Sequence, residues 1–234
     1  MLIKVLSNKV KFLILLAILI IYIILINYKR PFYFNDELPL LKKREDFGSL
    51  MESLQFKSMI EIGVLHGEFA NNVLKNWPSM SVYYGIDPGY QSDAPQNLAL
   101  FGNKIKLIKN FSISVESYFQ PESIDFIYID AAHDYCSVYN ELNVYYLKLK
   151  CNGIIAGHDY KTAEEMLNIR KNKPSDQKGT GLHWTGLECS NGTVVKINGG
   201  GVKGAVIEFA KEKDIPKIME TNESWPSFYF RKKC

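Results

Sequence analysis

The sequence predicts a doubly wound, mostly parallel α/β sheet behind a membrane-spanning leader, and three observations carry that reading. From Ser58 onward short apolar runs alternate with helix-length segments, the pattern of strands joined by helical crossovers. Most of the runs end in a chemically useful side chain: Glu61, Asp87, Asp130 and the pair His158-Asp159. In an open parallel sheet such groups gather along one edge, at the carboxyl ends of the strands. Ahead of this body, Phe12 to Tyr28 is free of charge and close to the minimum length that crosses a bilayer.

At 234 residues and 47% hydrophobic content the chain can bury one sizeable core. The net charge of +3 is unevenly placed. Of 28 basic and 25 acidic residues, eight and two lie up to Arg44, which leaves 20 and 23 in the body. A body that is slightly acidic does not suit a nucleic-acid backbone, so nucleic-acid binding is excluded as a leading reading. The four cysteines, Cys136, Cys151, Cys189 and Cys234, show no C-x-x-C spacing and are too few for a disulfide scaffold. No internal repeat or low-complexity stretch is present.

The expected organisation is a short basic tail at 1–11, an anchor at 12–28, a stalk at 29–46 and the folded domain at 47–234. The apolar run is longer than the core of a signal peptide, and no small-x-small cleavage site precedes Lys29-Arg30, which favours an uncleaved anchor. Basic residues flank both ends of the span, so charge alone barely orients it. Three glycosylation sequons, at Asn110, Asn191 and Asn222, fit a single-pass protein of the secretory pathway with a lumenal body.

Within the domain, Phe47 to Leu54 reads as a lead-in helix, Ser58 to Ile62 as the first strand, and Glu68 to about Asn76 as a helix stopped by Pro78. Between strand and helix lies Glu61-x-Gly63-x-x-x-Gly67, whose glycines allow close backbone approach. The spacing is not the G-x-G-x-x-G of dinucleotide enzymes, so a guest less anionic than a pyrophosphate is expected. Val82 to Ile86 forms the second strand and delivers Asp87, placed to take both hydroxyls of a ribose. A short helix near 95–101 precedes a third strand at Ile105 to Ile108, and another helix is expected at 114–119. Ile124 to Ile129 is a strand buried on both faces. Asp134 caps the helix from Tyr135 to Leu149, and Gly153 to Gly157 is the fifth strand. From Lys171 to Gly201 the pattern fails, which suggests an insertion over the site, a candidate lid bearing His183 and Trp184. Val202 to Lys211 is amphipathic, and Trp225 to Arg231 is a final strand. Asp125 reads as a solvated turn acid and His66 as a packing or capping residue.

These pieces, with Ile129-Asp130-Ala131-Ala132-His133-Asp134-Tyr135, Gly201-Val202-Lys203-Gly204-Ala205-Val206 and Trp225-Pro226-Ser227-Phe228-Tyr229, resemble the class I S-adenosylmethionine-dependent methyltransferases. The nearest branch is methyltransferase family 24, sugar and small-molecule O-methyltransferases. The resemblance implies a Rossmann-like, seven-stranded sheet with its last strand antiparallel. It also implies that Gly63 and Gly67, beside Glu61, admit the methionine end of S-adenosylmethionine, that Asp87 holds the ribose, and that Ser112 or a neighbour touches adenine. The stretch around Asp130 and His133 and the pair His158-Asp159 also look like a metal-binding branch of the group.

A sulfonium methyl is already electrophilic, so such an enzyme mainly places an acceptor oxygen in line and removes its proton. His133, three residues past Asp130, is the general-base candidate. Asp130 and Asp159, with His158 as a third donor, are the candidate ligands of a divalent metal such as magnesium or manganese that would orient the acceptor. The expected acceptor is a glycan or small polar metabolite. Competing expectations are a non-catalytic cofactor- or glycan-binding module and an NAD-linked oxidoreductase, the latter weakened by the missing dinucleotide turn.

Overall fold

The structure, a computed structural model, describes residues 37–171, 189 and 192–234, together with Leu15. The chain divides into Met1–Glu37 and Leu38–Cys234. Apart from Leu15 the expected anchor at 12–28 lies outside the described residues, and so do the first part of the stalk and most of the 171–201 insertion, with His183 and Trp184. Among the described residues no helix is long and apolar enough to cross a membrane.

The body starts before Phe47. Leu38 and Leu41 are buried against the sheet, where Leu41 N–H donates to the Tyr229 hydroxyl at 3.0 Å. In chain order follow α1 (Phe47–Ser53), β1 (Ser58–Ile62), α2 (Glu68–Lys75), β2 (Val82–Ile86), α3 (Ala94–Asn97), β3 (Ile105–Ile108) and α4 (Ser112–Val115). Then come β4 (Ile124–Ile129), α5 (Tyr135–Tyr146), β5 (Leu149–Gly157), α6 (Ala163–Lys171), α7 (Gly201–Glu212), β6 (Met219–Glu220) and β7 (Phe228–Arg231). The expected alternation is present. The sheet has seven strands in the order β3-β2-β1-β4-β5-β7-β6, and β7 runs antiparallel to both neighbours.

Period-two alternation sends the side chains of each central strand to two cores. Ile60 and Ile62 of β1 and Ile127 and Ile129 of β4 meet Val138 and Leu142 of α5 and Phe209 of α7. Met59 of β1 and Phe126 and Tyr128 of β4 meet Phe47 of α1 and Val73 of α2 on the other face. That two-sided burial explains why β4, Asp125 apart, reads as an apolar run.

Several details depart from the sequence reading. The helix expected at 114–119 is α4 followed by a 3-10 turn at Glu116–Tyr118, and β5 begins at Leu149 rather than Gly153. Asp125 is not a solvated acid: it is buried and accepts from the Ser58 hydroxyl at 2.7 Å, the Lys57 and Ser58 N–H groups at 2.9 Å and Lys150 Nζ at 2.8 Å. Burial works against its charge, but those donors outweigh it and hold its pKa below the usual value.

The cysteines also depart from expectation, because all four are paired as Cys136–Cys189 and Cys151–Cys234. The second bridge ties β5 to the chain's last residue across 83 positions. Replacing both partners, Cys151→Ser with Cys234→Ser, should lower unfolding stability by roughly 2–4 kcal/mol through the freed loop entropy. Urea unfolding reads this directly; an unmoved midpoint would mean the bridge constrains nothing.

Candidate active site

Strand order reverses between β1 and β4, which leave the sheet's middle toward opposite edges. A crevice opens at such a switch point. Here it is a cavity of about 760 Å³, and Gly63, Asp87, Ser112, Asp130 and His133 all line it.

Its first wall is the turn after β1. Gly63 has φ of 89°, and a Cβ there would strike the backbone of Asp130 and Ala131. Only glycine fits both the angle and the contact. Gly63 N–H donates to Ile86 O at 2.9 Å, and Asp130 N–H donates to Ile62 O at 2.7 Å, so three strand tips are stitched together. Asp87 then fixes the turn: Oδ2 accepts from Val64 N–H at 2.9 Å and Leu65 N–H at 3.0 Å, and Oδ1 accepts from Gly89 N–H at 2.7 Å. A carboxylate offers about four acceptor sites, so this role leaves capacity for a ligand hydroxyl. Gly67, at φ of 72°, is the residue before α2 and does not line the cavity. His66, which also lines the cavity, pairs with Asp93 at 2.9 Å on the surface and caps neither α2 nor α3, contrary to the packing or capping role expected for it.

Glu61 also lines the cavity, from β1, although it is almost wholly buried. It is 1% exposed, and Tyr83 donates its hydroxyl to Oε2 at 2.7 Å. The geometry depends on Gly85, opposite Glu61 in the β1–β2 register, where any Cβ would strike the Tyr83 hydroxyl. Burial, reinforced by Asp130 and Asp87, pushes the Glu61 carboxyl up to about 8, so it is a neutral acid at pH 7. Ser112 is likewise turned inward: its hydroxyl donates to Glu141 Oε1 at 2.6 Å.

The opposite wall is the tip of β4, Asp130 to His133; His158 and Asp159, at the tip of β5, do not line the cavity but lie against those side chains. Asp159 follows β5 in the left-handed region, φ 52°, a conformation Asp tolerates better than most residues. His133 Nδ1 lies 2.7 Å from Asp159 Oδ2. His158 Nδ1 lies 3.2 Å from Asp159 Oδ1 and 3.7 Å from Asp130 Oδ1. Burial pulls the His133 imidazole down, but the hydrogen bond and charge of Asp159, with Asp130 and Asp134, outweigh it and raise its pKa. His158 has no such surplus: burial, with Arg44 and His133 adding, lowers it to about 4, so it is neutral. Burial raises Asp130 to about 7 against the pull of His133 and Arg44.

The residues able to bring ligand atoms within 4.8 Å of one another here are Asp130, His133 and Asp159. Two carboxylates and an imidazole fit a divalent ion such as magnesium or manganese. The sequence reading named His158 as the third donor; the grouping that meets this distance contains His133 instead. The Asp134 cap is present, its Oδ1 accepting from Ser137 N–H at 3.0 Å.

Sequence reasoning missed Arg44, which it assigned to the stalk. Its Nη1 is 3.3 Å from Asp130 Oδ2 and its guanidinium lies 5.6 Å from the Phe69 ring centroid. Nothing in the local sequence marks it, because it reaches the site from a turn ahead of α1.

Residues 60–160 match the family Methyltransf_24, described as a methyltransferase domain. Uncharacterized protein R132 of Acanthamoeba polyphaga mimivirus is 30% identical over 114 residues, 44% of this chain and 51% of its own length. The chain thus spans about half the length of the curated relative it matches. Among solved structures, the O-methyltransferase TomG from Streptomyces achromogenes, in complex with SAM, superposes with a TM-score of 0.54 at 9% identity, over 81% of this chain and 79% of that one. A SAM-dependent O-methyltransferase from Thermotoga maritima gives 0.53 at 12% identity, over 90% and 70%. At such identities the likeness establishes the fold.

The hydrogen bond and charge of Asp159 do most to raise the His133 pKa, so Asp159→Asn should let burial prevail and lower it. An NMR titration of the His133 ring protons measures this without any substrate; an unchanged midpoint would show that the pair does not form in solution.

Proposed function

We propose that the chain, whose residues 60–160 match a methyltransferase domain, is a membrane-anchored, S-adenosylmethionine-dependent enzyme that methylates a hydroxyl of a glycan or small polar metabolite. The observation that carries the proposal is one cavity at the switch point, with the Gly63–Asp87 turn on one wall and Asp130 and His133 on the other. S-adenosylmethionine, when bound, supplies a methyl group on positive sulfur that needs no further activation. The chain's own work is placement and proton removal.

In this reading Asp87, already anchoring the Val64 and Leu65 amides, offers its remaining acceptor capacity to the ribose hydroxyls. Gly63 and the turn residues Val64 to His66 would pass beside the methionine end, with Gly63 giving the backbone its room. Asp159 fixes His133 through Nδ1, so the acceptor's proton is taken at Nε2. Because the His133 pKa is raised, its base form grows in as pH rises through that value, and turnover should rise with it. A divalent metal on Asp130 and Asp159 would lower the pKa of the acceptor hydroxyl and orient it. In that case His133 serves as ligand rather than base, and the two modes are alternatives.

Both bridges favour an oxidising compartment and so support a lumenal body. The exposed Asn222, in its sequon, is then an available acceptor of glycan.

The primary test is incubation of the full chain with labelled S-adenosylmethionine and a panel of glycans and polar alcohols. Label transfer is expected to a hydroxyl, and none across the panel despite cofactor binding would favour a non-catalytic module. Asp130→Asn and Asp159→Asn should each cut turnover by about 10²–10⁴-fold with cofactor affinity little changed. Asp87→Ala should weaken cofactor binding at least about tenfold by calorimetry. Loss of activity in a chelator with recovery on manganese or magnesium supports the metal mode, and full activity in the chelator removes it.

A further inference from the structure

Among the described residues Arg44 is the one lysine or arginine that lines the cavity, and it reaches there from a turn ahead of the strand–helix alternation. Its backbone is anchored. The N–H donates to Glu223 Oε1 at 2.9 Å, an oxygen that also takes the Thr221 hydroxyl at 2.7 Å. Its side chain is aimed: the guanidinium lies over the Phe69 ring, with Nη1 3.3 Å from Asp130 Oδ2, and is 29% exposed. Burial works against its charge, but Tyr128 and Asp130 outweigh that and raise the pKa further, so the group is a permanent cation.

That cation stands where a divalent ion would have to bind. The ion would take one atom each from Asp130, His133 and Asp159, and of the two Asp130 oxygens Oδ2 already accepts from Arg44. An ion on the other oxygen would still share one carboxylate with the guanidinium, and two cations at such range repel strongly where water screens poorly. An imidazole can lose its proton to become a ligand; a guanidinium cannot. Arg44 can only turn aside. Glu45, next to it in the chain, holds Oε1 at 3.7 Å from Nε and offers it a second carboxylate.

We propose that Arg44 is a resident cation that competes with divalent metal for Asp130 and so sets the metal affinity of the acid cluster. This role rests on the proposed function for its two modes and decides between them. While the guanidinium holds Asp130 Oδ2, metal is disfavoured and His133 is left to act as base. When it turns to Glu45, the carboxylates and His133 are open to the ion.

The test is a titration of the full chain with manganese alone, followed by the loss of the free ion's electron paramagnetic resonance signal. Arg44→Met, which keeps an unbranched side chain over Phe69 and drops the charge, should bind manganese at least about tenfold more tightly than the wild type. Arg44→Lys, which keeps a cation there, should stay within about threefold of the wild type. Adding Asp130→Asn to Arg44→Met should erase the gain. Equal or weaker binding by Arg44→Met overturns the assignment, and so does a gain that survives Asp130→Asn or that Arg44→Lys matches. If Arg44→Met does not fold, Arg44→Gln, which keeps N–H donors for Asp130 without the charge, takes its place with the same outcomes. No methyl donor or acceptor is present in the titration, so its failure leaves methyl transfer standing, and a failed acceptor panel leaves the metal result standing.

Discussion

Everything at the site depends on how closely β1 and β4 leave the sheet together. The missing Cβ of Gly63 lets the first turn rest on the backbone of Asp130 and Ala131. Were any side chain present, the turn and the acidic tip would move apart, and the amides of Val64 and Leu65 would leave Asp87. One steric allowance therefore joins the wall that would hold a nucleoside to the wall that would handle an acceptor. The requirement is a packing constraint between two strands before it is a feature of any ligand.

That closeness gathers acids, and the structure balances them in three different ways. Glu61 is kept neutral by burial beside the Tyr83 hydroxyl. Asp159 keeps its charge by pairing with His133, and Asp130 is partly compensated by Arg44. Unpaired, such a cluster would repel itself at short range in a medium that screens poorly. Arg44 thus has an electrostatic reason to be where it is. It also links the segment ahead of α1 to the site, since its backbone N–H donates to Glu223 at 2.9 Å near β7.

The sheet was legible because its signals are local. Apolar runs such as Ile124–Ile129 mark strands buried on both faces, and the side chain after each run falls at the carboxyl edge whatever the distant packing does. Side-chain direction was not legible. Glu61 and Ser112 sit where the sequence places them but turn toward Tyr83 and Glu141, partners 22 and 29 residues away. Asp125 was misjudged for the same reason, because its donors Lys57 and Ser58 lie at the start of β1, far from it in sequence. β6 spans two residues, too short for any periodicity to register. Arg44 and the cysteine pairing depend on contacts that span most of the chain.

The two bridges bear on where such a site could work. Cys136 is the second residue of α5, two past the Asp134 cap, so its bond to Cys189 ties that residue to the start of the helix that follows His133. The other bridge closes the opposite end of β5 on the carboxyl terminus. Strand β5 carries His158 and Asp159 at its tip, so covalent restraint reaches the acid cluster from both sides. A reducing compartment would dissolve those restraints and leave the cluster dependent on packing alone. Any chemistry that used the His133–Asp159 pair would need its geometry held closely, and both bridges persist only where the surroundings are oxidising.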